Sequence, residues 1–381
     1  MNSFRTGLMD TALHPRFAPN LLLHSTRQLA AAGGADSMWL PDHLINMFPS
    51  SIWKPQHFGA ARFAPRADAL YEPWTTLGYI AAKNRLTRLR LGVGVTDAGR
   101  RNPAVTAQAA ATLHHLNRGR AILGIGTGER EGNEPYGVDW ARPVARFEEA
   151  IATIRALWDS GGRPVTRESQ FFPLRDAVFD IPPYKGGRPE IWVAAHGPRM
   201  LRTAGRYADA WFPCVPQRPE QYAEKLSLIR SAASDAGRDP LSITPAAYFF
   251  VLTAGSSAQA EEMTDSVAAK AFTLCAPAAV LAEHGVEHPM GPTFSGLQDL
   301  LPQTIDEGAV LRYVERVPAS LVRATCLVGT PTEILEQLCE WRDRGLRYVV
   351  VLNLSPVDPR LRLALTSTRP LVRLLRGMRR L

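Results

Sequence analysis

The residues best suited to chemistry stand directly after short apolar runs of this sequence. Asp42 and His43 follow one such run and put a carboxylate beside an imidazole. An imidazole titrates near neutral pH and can supply a proton, while a carboxylate can orient a polar ring. An Asp-His pair is also typical of an ordinary turn, in which the aspartate bonds its own backbone. The residues alone leave both interpretations open.

Glycines mark a second stretch. Gly92, Gly94 and Val95 belong to one apolar run that continues to Asp97. Glycine inside a strand often marks a bulge or a place where a ligand approaches the backbone closely. The alternative is a tightly packed internal layer in which only small side chains fit. The pattern is compatible with either.

Gly124 begins a glycine-rich stretch that looks like a dinucleotide-binding fingerprint but fails its test. The pattern G-x-G-x-x-G requires glycine where Glu129 stands, and no helix is predicted to begin there. A nicotinamide site of the Rossmann type is therefore not expected. Glu129 is then a carboxylate at a strand end, suited to a general acid or a clamp for a substrate hydroxyl, or else a solvated loop residue.

A fourth stretch joins a strand to a helix. His196, Gly197 and Pro198 precede a helical pattern, and the free backbone N–H groups at a helix start suit a phosphate. His196 and Arg199 could add to such a site. A simple capped turn is the alternative.

One pattern is set aside. His284 and His288 match H-x-x-E-H, a metallopeptidase motif that needs a helix to bring both imidazoles to one face. Gly285 stands inside the motif and Pro289 follows it, so a continuous helix is not expected. We predict no metal site.

Eight apolar runs alternate with eight helical patterns along the chain. The runs predict strands at 4–9, 37–40, 89–95, 121–125, 190–195, 210–215, 243–252 and 347–352. The helices are expected at 19–32, 73–82, 103–116, 143–158, 198–207, 219–236, 256–270 and 331–344. This alternation favours a (β/α)₈ TIM barrel over the alternative, a doubly wound open sheet. In a barrel, the four reactive stretches would meet at the carboxyl ends of the strands.

We expect one domain over residues 1–381, with two insertions on the catalytic face at about 43–72 and 271–322. Both insertions mix aliphatic and aromatic residues with arginine and proline. We interpret them as walls of a substrate site, and surface loops without function are the alternative. The apolar side chains that suggest walls are Trp53, Phe58 and Phe63 in the first insertion and Phe294, Leu297 and Leu300 in the second.

Composition restricts partners and location. The net charge is +8, but the arginines are spread along the chain and form no nucleic-acid recognition module, so no nucleic acid is expected. The four cysteines are scattered, residues 1–10 lack a secretory pattern and no apolar window is long enough for a membrane span, which predicts the cytoplasm. Residues 369–381 form an amphipathic basic helix, which either docks on the inner face of the plasma membrane or packs on the barrel.

Four longer motifs carry a resemblance to a known family. They read WLPDH, LGVGVTDAGRRNPAVTAQAAATL, GRAILGIGTGE and IWVAAHGPRM. Together they resemble the luciferase-like barrel superfamily over nearly the whole chain. Within it, the sequence is similar to oxidoreductases that depend on the deazaflavin coenzyme F420, and among those to ketoreductases of long-chain diolone lipids.

The resemblance implies roles for individual residues. The family's Asp-His pair beside the deazaflavin corresponds to Asp42 and His43, and the family's active-site carboxylate corresponds to Glu129. We expect His43, and after it Glu129, to act in catalysis. The peptide between Gly94 and Val95 corresponds to a cis peptide behind the ring. The cofactor-binding residues implied by the resemblance are Asp42, Gly94, Val95, Thr127, Gly128, His196, Gly197 and Pro198.

The expected function is reduction of a lipid ketone with hydride from reduced F420 and a proton from His43. A monooxygenase that uses FMN on the same barrel is one alternative, because fold does not decide the cofactor. A lipid carrier without catalysis is another. We also expect a homo-oligomer.

Overall fold

The computed structural model describes residues 4–214 and 218–381, so Val215, the end of one predicted strand, lies outside the described residues. Eight parallel strands close into a barrel, because the last pairs with the first and each pairs with its neighbour. The open-sheet alternative is therefore excluded. The barrel strands are β1 (Arg5–Met9), β2 (Ser37–Leu40), β3 (Arg90–Asp97), β4 (Ala121–Gly126), β7 (Glu190–Val193), β8 (Ala210–Trp211), β9 (Thr244–Thr253) and β11 (Tyr348–Asn353). The remaining strands are the antiparallel pair β5 (Val165–Arg167) and β6 (Leu174–Ala177), and β10 (Leu327–Gly329), which pairs with the end of β9.

The alternation of side chains along each strand divides the core into two layers. In β11, Tyr348, Val350 and Leu352 belong to the cluster that fills the barrel and its mouth. Val349 and Val351 belong to the cluster between the strands and the surrounding helices. Strands buried on both faces in this way read as continuous apolar runs, which is why the sequence predicts them well.

Helices surround the barrel. Those of the repeating unit are α1 (Pro19–Ala32), α2 (Pro73–Lys83), α3 (Pro103–Leu116), α4 (Pro143–Asp159), α5 (Pro198–Tyr207), α6 (Pro219–Asp235), α7 (Ser257–Thr264), α8 (Val267–Phe272) and α12 (Pro331–Asp343). The single helix predicted for 256–270 is wrong, because it is divided into α7 and α8. The side chain of Ser266 caps α8 by accepting a hydrogen bond from the Ala269 N–H at 3.2 Å, so a new helix begins there.

Both predicted insertions lie over the mouth of the barrel and pack on each other. The first contains the short 3-10 turns Ser50–Ile52 and Gly59–Arg62, and the second contains α9 (Ala278–Glu283), α10 (Glu307–Val314) and α11 (Ala319–Thr325). The Ser51 hydroxyl donates to the Ile305 carbonyl at 2.8 Å across this contact. Phe58 of the first insertion and Leu300 of the second are fully buried. The insertions therefore form one cap rather than two free loops.

The chain ends in α13 (Leu361–Thr366) and α14 (Thr368–Met378). The apolar face of α14 packs against α12 and α1, so the membrane-docking interpretation of this face is wrong and the packing interpretation holds. No helix in 4–214 or 218–381 is both long and apolar enough to cross a membrane. The buried side chains of this face are Leu371, Leu374, Leu375 and Met378.

Candidate active site

A cavity of about 630 Å³ lies at the carboxyl ends of the barrel strands, beneath the cap. That volume is typical of a site for a cofactor or a drug-sized ligand. Trp53, Phe63 and Leu297 of the two insertions contribute to its walls. The predicted site residues that line it are Asp42, His43, Gly94, Val95, Thr127, Gly128, Glu129 and His196. Gly197 and Pro198 are exposed immediately beyond His196 and are not part of the lining.

His43 lies between two carboxylates. Its Nδ1 is 3.0 Å from Oε1 of Glu131 and donates a hydrogen bond to it when the ring is protonated. The same nitrogen is 3.2 Å from Oε2 of Glu129, but that oxygen has no hydrogen bond of acceptable angle, so the contact is an ion pair. Glu131 was missed by the sequence reasoning. It lies on the 3-10 turn Arg130–Gly132, and only its spacing of two residues from Glu129 could have drawn attention to it.

The carboxylates set the charge of the imidazole. Burial alone would lower the pKa of His43, but the charges and contacts of Glu129 and Glu131 outweigh it and raise the pKa well above its ordinary value. Burial and the neighbouring Glu131 raise the pKa of Glu129, although His43 opposes that shift. At neutral pH the cluster therefore holds a proton on the imidazole, inside a cavity that a ketone could enter.

Asp42 has a different environment from His43. Its carboxylate accepts hydrogen bonds from Arg100 at 2.8 Å, from Arg101 at 2.8 and 3.0 Å and from the Thr96 hydroxyl at 2.6 Å. Burial would raise the pKa of Asp42, but the two guanidinium groups and Thr96 lower it overall. Both oxygens are thus occupied by protein donors, which favours a positioning role for Asp42 over direct contact with a cofactor.

The backbone of β3 opens into the cavity at Gly94 and Val95. The peptide between them is cis, as the resemblance implied. The register of β3 against β4 shifts between Val93 and Thr96, so a bulge lies at this place. A Cβ on Gly94 would come within 2.7 Å of the Met9 methyl group, which ends a flexible side chain in the cavity wall and can move away. The tight-layer interpretation and the ligand interpretation therefore both stay open for Gly94.

The turn after β4 is fitted to a buried aspartate. Gly128 has a φ of +79°, and a Cβ there would lie 2.1 Å from Oδ2 of Asp97. Asp97 accepts hydrogen bonds from the Gly99 N–H at 2.6 Å and from the Asn133 side chain at 2.5 Å. Both conformation and space therefore demand glycine at 128. The neighbouring Thr127 is half-buried in the cavity wall.

A basic side of the cavity lies near His196. Enclosure within the cavity and the nearby Lys225 lower the pKa of His196. Lys225 of α6 also lines the cavity and was missed by the sequence reasoning, because a lone lysine in a surface helix carries no signal. Arg199, expected to support a phosphate, instead pairs with Glu148 through its Nε at 3.0 Å.

Within residues 4–214 and 218–381, one cluster of side chains is a candidate for metal binding. Ligand atoms of His43, Glu129 and Glu131 lie within 4.8 Å of one another, a spacing that one ion could bridge. The hydrogen bond and ion pair within the cluster already pair the three groups, so the absence of a metal stays our prediction. The H-x-x-E-H segment has no helix, since α9 ends at Glu283 and Gly285 has a φ of +73°.

The backbone and side-chain groups that line the cavity fit a flat, anionic redox cofactor. The half-buried peptide at Gly94 and Val95 offers a backbone surface for a ring, and the ammonium group of Lys225 offers a partner for an anionic tail. Oε2 of Glu131 is buried without a hydrogen-bond partner and would accept from a donor on a ligand. These features suit a deazaflavin and a flavin alike, so geometry alone does not choose between them.

Comparison with known proteins identifies the relatives of this chain. The family model described as luciferase-like monooxygenase matches residues 23–348. The phthiodiolone/phenolphthiodiolone dimycocerosates ketoreductase of Mycobacterium tuberculosis is 57% identical over 382 residues, which covers 100% of both chains. A protein of the same name from Mycobacterium kansasii is 57% identical and covers 96% of this chain and 100% of its own.

Solved structures share the fold at low identity. An F420-dependent secondary alcohol dehydrogenase in complex with an F420–acetone adduct superposes with a TM-score of 0.71 at 18% identity, covering 98% of this chain and 99% of its own. The oxygenating constituent of 3,6-diketocamphane monooxygenase from Pseudomonas putida, in complex with FMN, superposes with a TM-score of 0.64 at 15% identity. The match covers 99% of this chain and 98% of the monooxygenase chain. The same barrel thus serves both cofactors.

Proposed function

Because the chain belongs to the luciferase-like family, we propose that it is a ketoreductase that uses reduced coenzyme F420 and acts on long-chain diolone lipids. Its substrates would be phthiodiolone and phenolphthiodiolone dimycocerosates, reduced to the phthiotriol forms during cell-envelope lipid biosynthesis. The full-length relatives at 57% identity carry this name and support the substrate class. The observation that carries the proposal is the contact of the His43 imidazole with both Glu129 and Glu131 within the cavity, because the two carboxylates raise the pKa of the ring.

Reduction of a ketone requires hydride on carbon and a proton on oxygen. Reduced F420 bound in the cavity would supply the hydride. His43 supplies the proton, because two carboxylates keep its imidazole charged until an alkoxide, which is far more basic, forms beside it. The neutral ring left between Glu129 and Glu131 then regains a proton from solvent. Glu129, whose pKa is raised, is the second candidate for the donor.

The other predicted residues would hold the cofactor. Gly94 and Val95 provide the surface behind the ring, with Thr127 and Gly128 forming the turn beside it. His196, Gly197 and Pro198 would receive the phosphate at the start of α5, where backbone N–H groups are free. Lys225 adds a positive charge on that side. Asp42 would have a positioning role, because its carboxylate holds the side chains of Arg100 and Arg101 in place.

Cofactor choice is tested by binding and by turnover. The purified protein is titrated with F420 and, separately, with FMN, and binding is followed by quenching of cofactor fluorescence. A diolone lipid in mixed micelles is then added to the protein loaded with reduced F420 without oxygen, and the alcohol is measured by mass spectrometry. We expect F420 to bind more tightly and the alcohol to form.

Tight binding of FMN together with oxygen-dependent product would support the monooxygenase alternative. Binding of lipid without turnover by either cofactor would support the carrier. The homo-oligomer expected from the sequence stays a prediction, which sedimentation velocity tests. Contact with a membrane likewise stays a prediction, and it now rests on the lipid substrate rather than on α14, whose apolar face is buried.

A further inference from the structure

Helix α1 presents one half-buried face to the cavity, beside the face that it packs into the core. Leu22, Ser25, Thr26 and Leu29 are spaced as one helical face, and all four line the cavity. Each is only half-buried, whereas Leu23, on the adjacent face, is buried. The buried Leu23 and Ala30 pack α1 into the outer core cluster, and the half-buried face lies open to the cavity beside them along two turns.

The cavity crosses from the inside of the barrel to the layer outside it. Met9 belongs to the inner core cluster and Leu8 to the outer one, yet both line the same cavity. Leu371 of α14, another member of the outer cluster, lines it as well. The cavity thus extends from the strand ends into the space between β1, α1 and α14. We call the part lined by Leu8, Leu22, Leu29 and Leu371 the side branch.

Charge is distributed unequally within the cavity. His43, Glu129, Arg100 and Lys225 line its central and basic parts. The four residues that define the side branch are all leucines, and the Ser25 hydroxyl on the same face of α1 donates to the Leu22 carbonyl of its own helix at 2.7 Å. The buried Asp10, which follows β1 and interacts with Thr26, also lines the cavity, and burial raises the pKa of its carboxyl. A passage walled by leucines favours a hydrocarbon and disfavours a charged cofactor.

We infer that the side branch binds the alkyl chain attached to the reacting ketone, an inference that rests on the proposed function. A cavity of about 630 Å³ cannot enclose a long-chain lipid together with a cofactor, so the chain must leave it. Phe17 and Phe63 line the cavity and are 42% and 43% exposed, which gives an apolar rim where a chain reaches the surface. The branch therefore selects ketones by their chain.

Chain length is the variable to test. Ethyl ketones whose second alkyl group is butyl, octyl or dodecyl are reduced by the enzyme loaded with reduced F420, and kcat/KM is compared. In the wild-type protein kcat/KM should rise by up to about fourfold per buried methylene, until the branch is filled. Leu29→Trp fills the branch and should remove this rise, so that the dodecyl ketone loses far more kcat/KM than the butyl ketone. Leu21→Trp is the matched control, because Leu21 is 61% exposed on the same helix and does not line the cavity.

Binding of the dodecyl ketone, measured by calorimetry without cofactor, separates this inference from the proposed function. Weaker binding in Leu29→Trp but not in Leu21→Trp supports the branch even if no ketone is reduced. Milder Leu22→Ala and Leu29→Ala variants repeat the comparison if the tryptophan variant does not fold. Equal losses for butyl and dodecyl ketones, or unchanged dodecyl binding in every Leu29 variant, would overturn the inference.

Discussion

The charge of His43 can be changed without removing its ring. Glu131 is nearly fully buried and accepts a hydrogen bond from the imidazole at 3.0 Å. Glu131→Gln keeps an acceptor oxygen in place but removes the negative charge. A hydrogen bond to a charged group is worth about 1.5–3 kcal/mol. One pKa unit corresponds to about 1.4 kcal/mol, so we expect the pKa of His43 to fall by about one to two units.

The fall in pKa has a defined effect on rate. Proton donation requires the charged ring, so the rate of ketone reduction is maintained below the folded-state pKa of His43 and falls as the pH rises through it. Because that pKa is raised well above the ordinary value, the wild-type enzyme should lose activity only at alkaline pH. In Glu131→Gln the alkaline limb should move toward neutral pH by about one to two units.

The pH at which activity falls is measured from single-turnover reduction over a pH series, in which the absorbance of oxidised deazaflavin reports the rate. Titration of the His43 ring by nitrogen NMR assigns this fall to that residue. Glu134→Gln is the control, since Glu134 lies in the same loop but is exposed and pairs with Arg130. An alkaline limb at the same pH in the wild type and Glu131→Gln would refute the assignment of the ionisation to His43.

Three further variants test the site and the fold. His43→Ala should lower single-turnover reduction by about two to four orders of magnitude and change cofactor affinity, measured by fluorescence quenching, far less. Gly128→Ala should lower the free energy of unfolding, measured in urea, clearly more than Gly137→Ala does. Both glycines have a positive φ, which costs alanine about 1–2 kcal/mol, but only the Cβ at position 128 would also clash with a neighbouring side chain. Leu374→Ala, in the fully buried face of α14, should cost about 2–5 kcal/mol in the same assay, and a loss near zero would contradict the packing of that helix.

The barrel could be predicted because its signals are local. Strands such as β11 are buried on both faces and read as continuous apolar runs, and helices such as α3 begin at a proline. The division of residues 256–270 into α7 and α8 was missed, because a serine cap at Ser266 looks like any other polar residue within a helical pattern. Local sequence patterns thus predict where helices and strands lie better than they predict where a helix is interrupted.

The site was predicted in part. Residues at strand ends, such as His43 and Glu129, could be found because a barrel brings those ends together. Glu131 and Lys225 could not, since a 3-10 turn directs the first inward and the second reaches the cavity from a surface helix. Asp42 was found, but its partners Arg100 and Arg101 were not, so its surroundings changed the role expected for it from cofactor contact to positioning.

Arg101 joins the two ends of the first insertion. Its Nε donates to Asp42, which precedes residues 43–72, and its Nη2 donates to Glu72, which ends them, each at 2.8 Å. Glu72 also caps α2 by accepting from the N–H groups of Trp74 and Thr75. One guanidinium therefore fixes both junctions of the insertion to the barrel. Both junctions are thus held by a side chain that lies outside the insertion, between β3 and α3.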